Sequence, residues 1–378
     1  MATRYPAAFI RGGTSKAIVF HRRDLPADQK EWDAIFLRAM GSPDRYGRQL
    51  NGMGGGLSSL SKVCVVGPAT VEGADVDYTF AQVQISEAKV DYSGNCGNMS
   101  SAIGPFAVDE GLVKVAPDGN ACVRIHNTNT RKILQATFPV RDGRSVDEGS
   151  LAIPGVDGTG APVRLDFMRP GGASTGKLLP GDAVTSSIDV PGAGRVTVSL
   201  VDAANACVFV EASSLGLTGT ESPDDLSARP ETLQRLGEIR VRSAVAMGIA
   251  PTIEAARSIR MIPMIAMVSA PQDSTTLDGQ VIEAAQADLV VRMLSNGQPH
   301  RAIPLTGALC TAVAMQIQGS IPNLAARTQR DSAALRLAMP SGVLTVSADV
   351  SQRPDGWHAA SGSFFRTTRR LFDGHVYA

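Results

Sequence analysis

The run Gly94-Asn-Cys-Gly-Asn98 carries the strongest local signal for chemistry in this chain. Glycine and asparagine tolerate tight and left-handed turns, and the small-residue stretch Met99 to Gly111 that follows reads as a helix. Cys96 therefore stands at a helix N-terminus. There the helix dipole favours a thiolate, and the free N–H groups of the first turn bind carboxylates. The alternative is a buried, inert thiol, against which the flanking glycines and asparagines weigh. Cys310 lies inside a second small-residue helix instead of at its start, and reads as core.

Lys62 is the second candidate. It follows the glycine cluster Asn51-Gly-Met-Gly-Gly-Gly56 and Ser58-Ser-Leu-Ser61, and it immediately precedes the apolar strand Val63 to Val66. A lysine at such a boundary points either into solvent or into a cleft, where loss of water suits it to work as a base. Spacing alone does not separate the two.

Weaker signals are scattered elsewhere. Gly171-Gly-Ala-Ser-Thr-Gly-Lys177 approaches the phosphate-cradling pattern GxxxxGK[ST], but Leu178 replaces the metal-holding hydroxyl and Pro180 opposes the helix that should follow. Nucleotide binding is rejected, leaving either a turn whose hydroxyls and amides face an anion or a plain loop. The five histidines (21, 126, 300, 358 and 375) show no ligand spacing with each other or with cysteines and carboxylates, so no metal site is expected. His300, beside Arg301 and ahead of Thr306-Gly307, is the most suggestive of them, as a substrate contact or a strand-end surface residue.

The elements that must position these groups are short strands with a few helices. Residues 7–10 and 17–20 flank a turn, 28–40 has helical periodicity, 63–66 is a strand and 76–90 a hairpin. Strands follow at 122–126, 133–140, 163–167, 195–201 and 207–211. A helix is expected over 229–247, strands over 262–268 and 288–294, a helix over 309–316 and strands over 335–377. The pattern occurs twice: strands, a glycine-containing turn, then a helix of small residues (Cys96-Gly-Asn-Met-Ser-Ser-Ala-Ile-Gly and Thr306-Gly-Ala-Leu-Cys-Thr-Ala-Val-Ala). Such a helix is thin enough to be enclosed by curved sheet.

Composition narrows the function classes. The 378 residues carry 36 basic and 36 acidic side chains, a formal net charge of +0, without the basic excess of a nucleic-acid protein. Aromatics are 5%, too few for base-stacking platforms. The most apolar stretch, Met261 to Pro271, is far shorter than the roughly 20 residues of a membrane span, and prolines interrupt it. Five cysteines without a CxxC pair read as free thiols in a reducing cytoplasm.

Six motifs in order, Arg11-Gly-Gly-Thr-Ser-Lys16, Gly41-Ser-Pro-Asp44, Asn51-Gly-Met-Gly-Gly55, Ser61-Lys62, Ser93-Gly-Asn-Cys-Gly-Asn98 and Gly104-Pro-Phe-Ala107, make the chain resemble the PrpF family almost end to end. The resemblance implies an α+β, diaminopimelate-epimerase-like fold: two pseudo-symmetric domains, each a curved β-sheet wrapped around a central helix. The first is expected over 1–184, carrying the catalytic lysine and cysteine, and the second over 185–378, its last strands crossing back to the first. Carried onto matching positions, the family's catalytic pair is Lys62 and Cys96. Implied substrate contacts are Thr14, Ser15, Met53, Gly54, Asn95, Gly97, Asn98, Thr306 and Gly307, with His300, Ser174, Thr175 and Asn205 as weaker ones. The true epimerases place a cysteine in each domain, whereas Pro304-Leu-Thr-Gly-Ala308 has none at the turn, which argues against two-thiol racemisation.

The expected function is a cofactor-independent isomerase that moves a proton along an allylic unit of a small unsaturated di- or tricarboxylate such as 4-oxalomesaconate or 2-methylaconitate. The outcome is a double-bond shift or a cis–trans change. No cofactor or metal is expected, and the partner is a small anionic substrate, not nucleic acid or membrane; a homodimer stays open. The alternatives are a non-catalytic accessory protein of a tricarboxylate dehydratase and an amino-acid racemase. The latter would need acidic residues near both helix starts, and the motifs show none.

Overall fold

The computed structural model describes residues 3–92, 96–191, 194–259, 262–295 and 297–378. The chain forms two compact units, residues 1–166 with 365–378, and residues 167–364.

In the first unit β1 (Arg4–Gly12) turns into the antiparallel β2 (Ser15–His21), with Gly12 opposite Ser15. Gly13 at that turn has φ 52°, a left-handed conformation that costs glycine little. β3 (Lys62–Pro68) runs parallel to β2, and β4 (Val76–Val83) runs antiparallel to β3. A parallel pair needs a crossover, and the chain between β2 and β3 supplies the helix α1 (Trp32–Met40). Trp32, Ile35, Phe36, Ala39 and Met40, spaced three and four apart, bury against Phe9, Ile18, Phe20, Val63, Val65, Ala81 and Val83.

Side chains alternate along strands, so three cross-strand rows face the other way: Ala17–Lys62–Gln82, Val19–Cys64–Phe80 and His21–Val66–Tyr78. The helix α2 (Gly97–Asp109) covers this second face, with its Phe106 ring 5.1 Å from that of His21. It touches β1, β2, β3 and the strands Gly119–Asn127, Lys132–Arg141, Arg144–Ser145 and Thr368–Tyr377. Only a thin helix can be enclosed so fully, and every residue from Met99 to Val108 is buried. A Cβ on Gly104 would stand 2.7 Å from the Phe138 ring and 2.9 Å from the Ala136 methyl. α2 ends where Gly111, at φ 69°, donates to the Val108 carbonyl and Leu112 donates to that of Ala107, a Schellman stop. The C-terminal strand Thr368–Tyr377 closes the unit by pairing antiparallel with β1 along its whole length.

In the second unit the hairpin Gly194–Ala203 and Asn205–Glu211 is followed by Met264–Ser269, parallel to the latter, and by Leu289–Ser295, antiparallel to that. Leu335–Met339 and Gly342–Arg353 extend the array. The helix Leu305–Gln316, buried from Gly307 to Met315, packs on Gly194–Ala203, Asn205–Glu211 and Gly342–Arg353. The longer Pro230–Ala246 buries Leu236 and Ile239 in a separate apolar cluster with Val208, Ile265 and Met267. Both central helices expected from the doubled pattern are thus present.

The units divide after Asp166, ahead of the 184/185 boundary expected from the sequence, and 365–378 belongs to the first. The reason is hydrogen bonding: Gly172 donates to the Asp202 carbonyl, Asp202 to that of Leu178 and Ala204 to that of Pro170, tying 170–178 to the second unit's sheet. Among the described residues no helix is long and apolar enough to cross a membrane.

Candidate active site

Lys62 opens β3 and is only 8% exposed. Its Nζ donates to Gln82 Oε1 at 2.5 Å and lies 5.1 Å from the centre of the Phe80 ring. Among the described residues it makes no ion pair. Gln82 is itself held, its Nε2 lying 3.0 Å from the Ser61 carbonyl and 3.1 Å from that of Ser58. The loop before β3 is organised on buried Gln49, whose Oε1 takes the Gly56 N–H at 3.0 Å and the Ser61 hydroxyl at 2.6 Å. Gly54 makes room for it, since a Cβ there would stand 2.4 Å from the Gln49 amide. Met53 behaves otherwise. Its N–H donates to the Ala39 carbonyl and its side chain packs among the apolar residues on the α1 face, away from Lys62.

Cys96 is the N-cap of α2, half-buried, with extended backbone. Its carbonyl accepts from the Ser100 N–H at 2.9 Å and the Ser100 hydroxyl at 3.1 Å. Beneath it lies Cys64, whose Sγ is 3.8 Å from the Tyr78 hydroxyl. Burial pushes both the Cys64 thiol and the Tyr78 phenol up, so both stay neutral. Lys62 and Cys96 are the ionisable neighbours that, with Tyr78, act on the Cys64 thiol. Lys62 and Cys64 share the face of β3 that α2 covers, and Cys96 caps that helix.

Asn98, in the first turn of α2, ties this end to the β1–β2 turn. Its Nδ2 donates to Thr14 Oγ1 at 3.0 Å, and its Oδ1 accepts from Arg366 Nε at 3.1 Å. A Cβ on Gly13 would lie 2.3 Å from that same Oδ1 and 2.9 Å from Arg366 Cδ. Arg366 is 7% exposed, and burial pushes its guanidinium down to about 10. Arg11 staples the turn by donating to the carbonyls of Gly13 and Thr367 at 3.0 Å. Ser15 is buried beside it and Gly97 begins the helix. Asn95, with Ser93 and Gly94 of its motif, lies outside the described residues.

In the second unit Asn205 and Thr306 come together, with Nδ2 and Oγ1 3.5 Å apart at the start of Leu305–Gln316. Gly307 admits Met293, whose Sδ would lie 2.4 Å from a Cβ there. His300 directly follows the short strand Gln298–Pro299, and burial pushes its imidazole down, towards the neutral form. The loop Gly171–Lys177 does face an anion, one supplied by the chain itself. Asp202 Oδ2 accepts from the Ser174 N–H (2.7 Å), the Thr175 N–H (2.7 Å) and the Thr175 hydroxyl (2.9 Å). The amides of Ser174 and Thr175 are thus already engaged. Cys310 is fully buried, as read from the sequence.

Sequence reasoning missed Gln82 and Arg366. The first had a signal, being the polar residue in the inward row Tyr78, Phe80, Gln82. Arg366 had none, since only the tertiary fold brings it to α2. Among the described residues no group of His, Cys, Asp and Glu could hold a metal ion. His21 instead pairs with Glu110 at 3.0 Å and His126 with Asp77 at 2.9 Å. What the first unit offers chemically is a buried amine at the start of β3, and a thiol and an arginine at the N-terminus of α2, groups suited to moving a proton on an anion.

Known proteins share this architecture. The family model described as PrpF protein matches residues 2–378. The 3-methylitaconate isomerase of Eubacterium barkeri is 42% identical over 377 residues, 99% of this chain and 97% of the relative. The 2-methyl-aconitate isomerase of Shewanella oneidensis is 36% identical, covering 98% and 96%. A crystal structure of methylitaconate-delta-isomerase aligns with a TM-score of 0.91 at 41% identity, over 100% of this chain and 96% of that one. A hydroxyproline epimerase from Agrobacterium vitis shares the fold alone, with a TM-score of 0.50 at 15% identity over 100% and 94%. The fold is therefore the epimerase-like α+β fold. The match along the whole chain, with relatives that are isomerases, makes this protein an isomerase of the PrpF family.

Proposed function

We propose that the protein shifts a carbon–carbon double bond in a small unsaturated dicarboxylate of the methylitaconate kind, with Lys62 as base and Cys96 as acid. The observation that supports the reading is a buried lysine at the start of β3 together with a cysteine at the N-cap of α2, the helix that packs on that strand. Lys62 Nζ takes the proton from the carbon that lies between a carboxylate and the C=C. The electron pair spreads through the allylic unit into the carboxylate, and the Cys96 thiol protonates the far carbon. The ammonium of Lys62 then returns its proton to the thiolate, which resets the pair. N–H groups of the first turn of α2 and the Arg366 guanidinium meet the developing charge, each donor worth about 3 kcal/mol by analogy with oxyanion holes.

The 42% identity to a 3-methylitaconate isomerase favours a double-bond shift over a cis–trans change. The isomerase relatives disfavour an accessory protein, and the absence of a cysteine in Pro304-Leu-Thr-Gly-Ala308 disfavours two-thiol racemisation. Five free thiols suit work in a reducing cytoplasm.

The test is proton NMR of 3-methylitaconate and 2-methylaconitate in D2O with the purified protein. The expected result is a moved double bond and deuterium in the product from methylitaconate. Lys62→Met abolishes both, and Cys96→Ser lowers kcat far more than it changes KM. Deuterium exchange that survives in Lys62→Met removes Lys62 as the base. Faster turnover of 2-methylaconitate reverses the choice of outcome, and no absorbance or NMR change with either substrate revives the accessory reading.

A further inference from the structure

We infer that Gln82 is a positioning residue whose neutral amide holds the Lys62 amine without fixing its proton, an inference that rests on Lys62 being the base. The orientation of the amide is settled by its surroundings. Nε2 has carbonyl oxygens at 3.0 Å (Ser61), 3.1 Å (Ser58) and 3.4 Å (Val83), all acceptors. Turning the amide over would set Oε1 against three carbonyl oxygens, none of which can donate. Oε1 must therefore face Lys62, where it accepts at 2.5 Å.

A carbonyl oxygen accepts from an ammonium and from a neutral amine alike, favouring the ammonium only by a charge-assisted hydrogen bond and without an opposite charge of its own. A carboxylate in its place would hold the ammonium by charge and oppose loss of the proton. The neighbourhood supports that distinction. From its own strand Lys62 faces Cys64; from β4 come Phe80, Gln82 and, further along, Tyr78; from β2, Ala17 and Val19; from α2, Cys96. Lys16 points to the opposite face, its Nζ 5.8 Å from the Phe9 ring. Burial keeps Cys64 and Tyr78 neutral, and among the described residues no carboxylate lies within ion-pair distance of Lys62. Position 82 is thus the place where a single-atom change would put a negative charge on the amine.

The experiment compares Gln82→Glu, Gln82→Leu and Lys62→Met by kcat, KM and the pH dependence of kcat on the substrate that the wild type turns over, with thermal unfolding as a control. Gln82→Leu removes the acceptor without adding charge and should lower kcat on the order of tenfold. Gln82→Glu should lower kcat at neutral pH further than Gln82→Leu does, and regain it as the pH rises. A merely structural role predicts no such recovery. The inference is overturned by a Gln82→Glu enzyme with the wild-type kcat and pH profile, or by a loss equal at every pH while Lys62→Met is inactive. Full activity in Lys62→Met overturns the base assignment instead. Solvent deuterium exchange in Gln82→Glu should follow kcat.

Discussion

Arg366 and Asn98 lie 268 residues apart in sequence, yet Nε of one is 3.1 Å from Oδ1 of the other at the first turn of α2. That bond fixes which way the Asn98 amide points, so that Nδ2 reaches Thr14. The C-terminal strands thereby set the polar surface around the helix start that carries Cys96.

Gly13 leaves the space this contact occupies. Gly13→Ala drives a methyl to 2.3 Å from Asn98 Oδ1 and strains a backbone at φ 52°. We expect a loss on the order of a hundredfold in kcat, since small misplacements cost that much, and about 2 kcal/mol of stability. Gly111→Ala is the control. It has φ 69° with nothing within 4 Å, so it carries similar strain and should leave kcat unchanged. Steady-state kinetics and urea unfolding check both.

Asp202 supports the loop 171–177 from inside. One carboxylate oxygen serves two backbone amides and a hydroxyl, while Oδ1 is buried with no hydrogen-bond partner among the described residues. Asp202→Ala frees the loop at a cost of about 2 kcal/mol. Tryptic cleavage after the exposed Lys177 should then be much faster than in the wild type. An unchanged cleavage rate at this site would contradict the assignment.

Acid stability should depend on Asp288, 1% exposed and bridged by Arg336 at 2.7 Å and Arg327 at 3.8 Å. Burial raises its carboxyl, but the Arg336 side chain, the Arg336 N–H and the charges of Arg336 and Arg327 together outweigh that and bring it below the usual range. A carboxyl lowered by folding stabilises the fold above the unfolded-state value, about 3.9, and that contribution disappears as the pH falls through the lower folded value. Asp288→Asn should cost about 2 kcal/mol at pH 7, discounted because Arg336 is 38% exposed. The gap from wild type should close below roughly pH 4. Urea midpoints across that range test the sign, and a gap that widens in acid is the contrary result.

Local chemistry made much of this protein readable from its sequence. Glycine and asparagine around Cys96, followed by small residues, announced a helix start. The recurrence of the pattern near Thr306 announced a second enclosed helix. Short apolar runs located β1 to β3 and a hairpin pattern β4, and spacing of three and four located α1. These features are legible because each is decided within a few residues, by backbone sterics or by which side of one element is wet.

Tertiary structure decided the rest. Lys62 gained its meaning from residues on other strands: Gln82, 20 positions away, through strand register, and Phe80 beneath it. The glycine-rich loop at 171 turned out to hold a carboxylate of its own chain, which no local pattern reveals. Met53, grouped with the site by its motif, packs on the opposite face because alternation along the sheet sends the α1 side away from Lys62. Sequence determines which groups are available and which elements carry them. Register and packing determine which groups meet, because hydrogen bonds and charges act over a few ångströms in space whatever the distance along the chain.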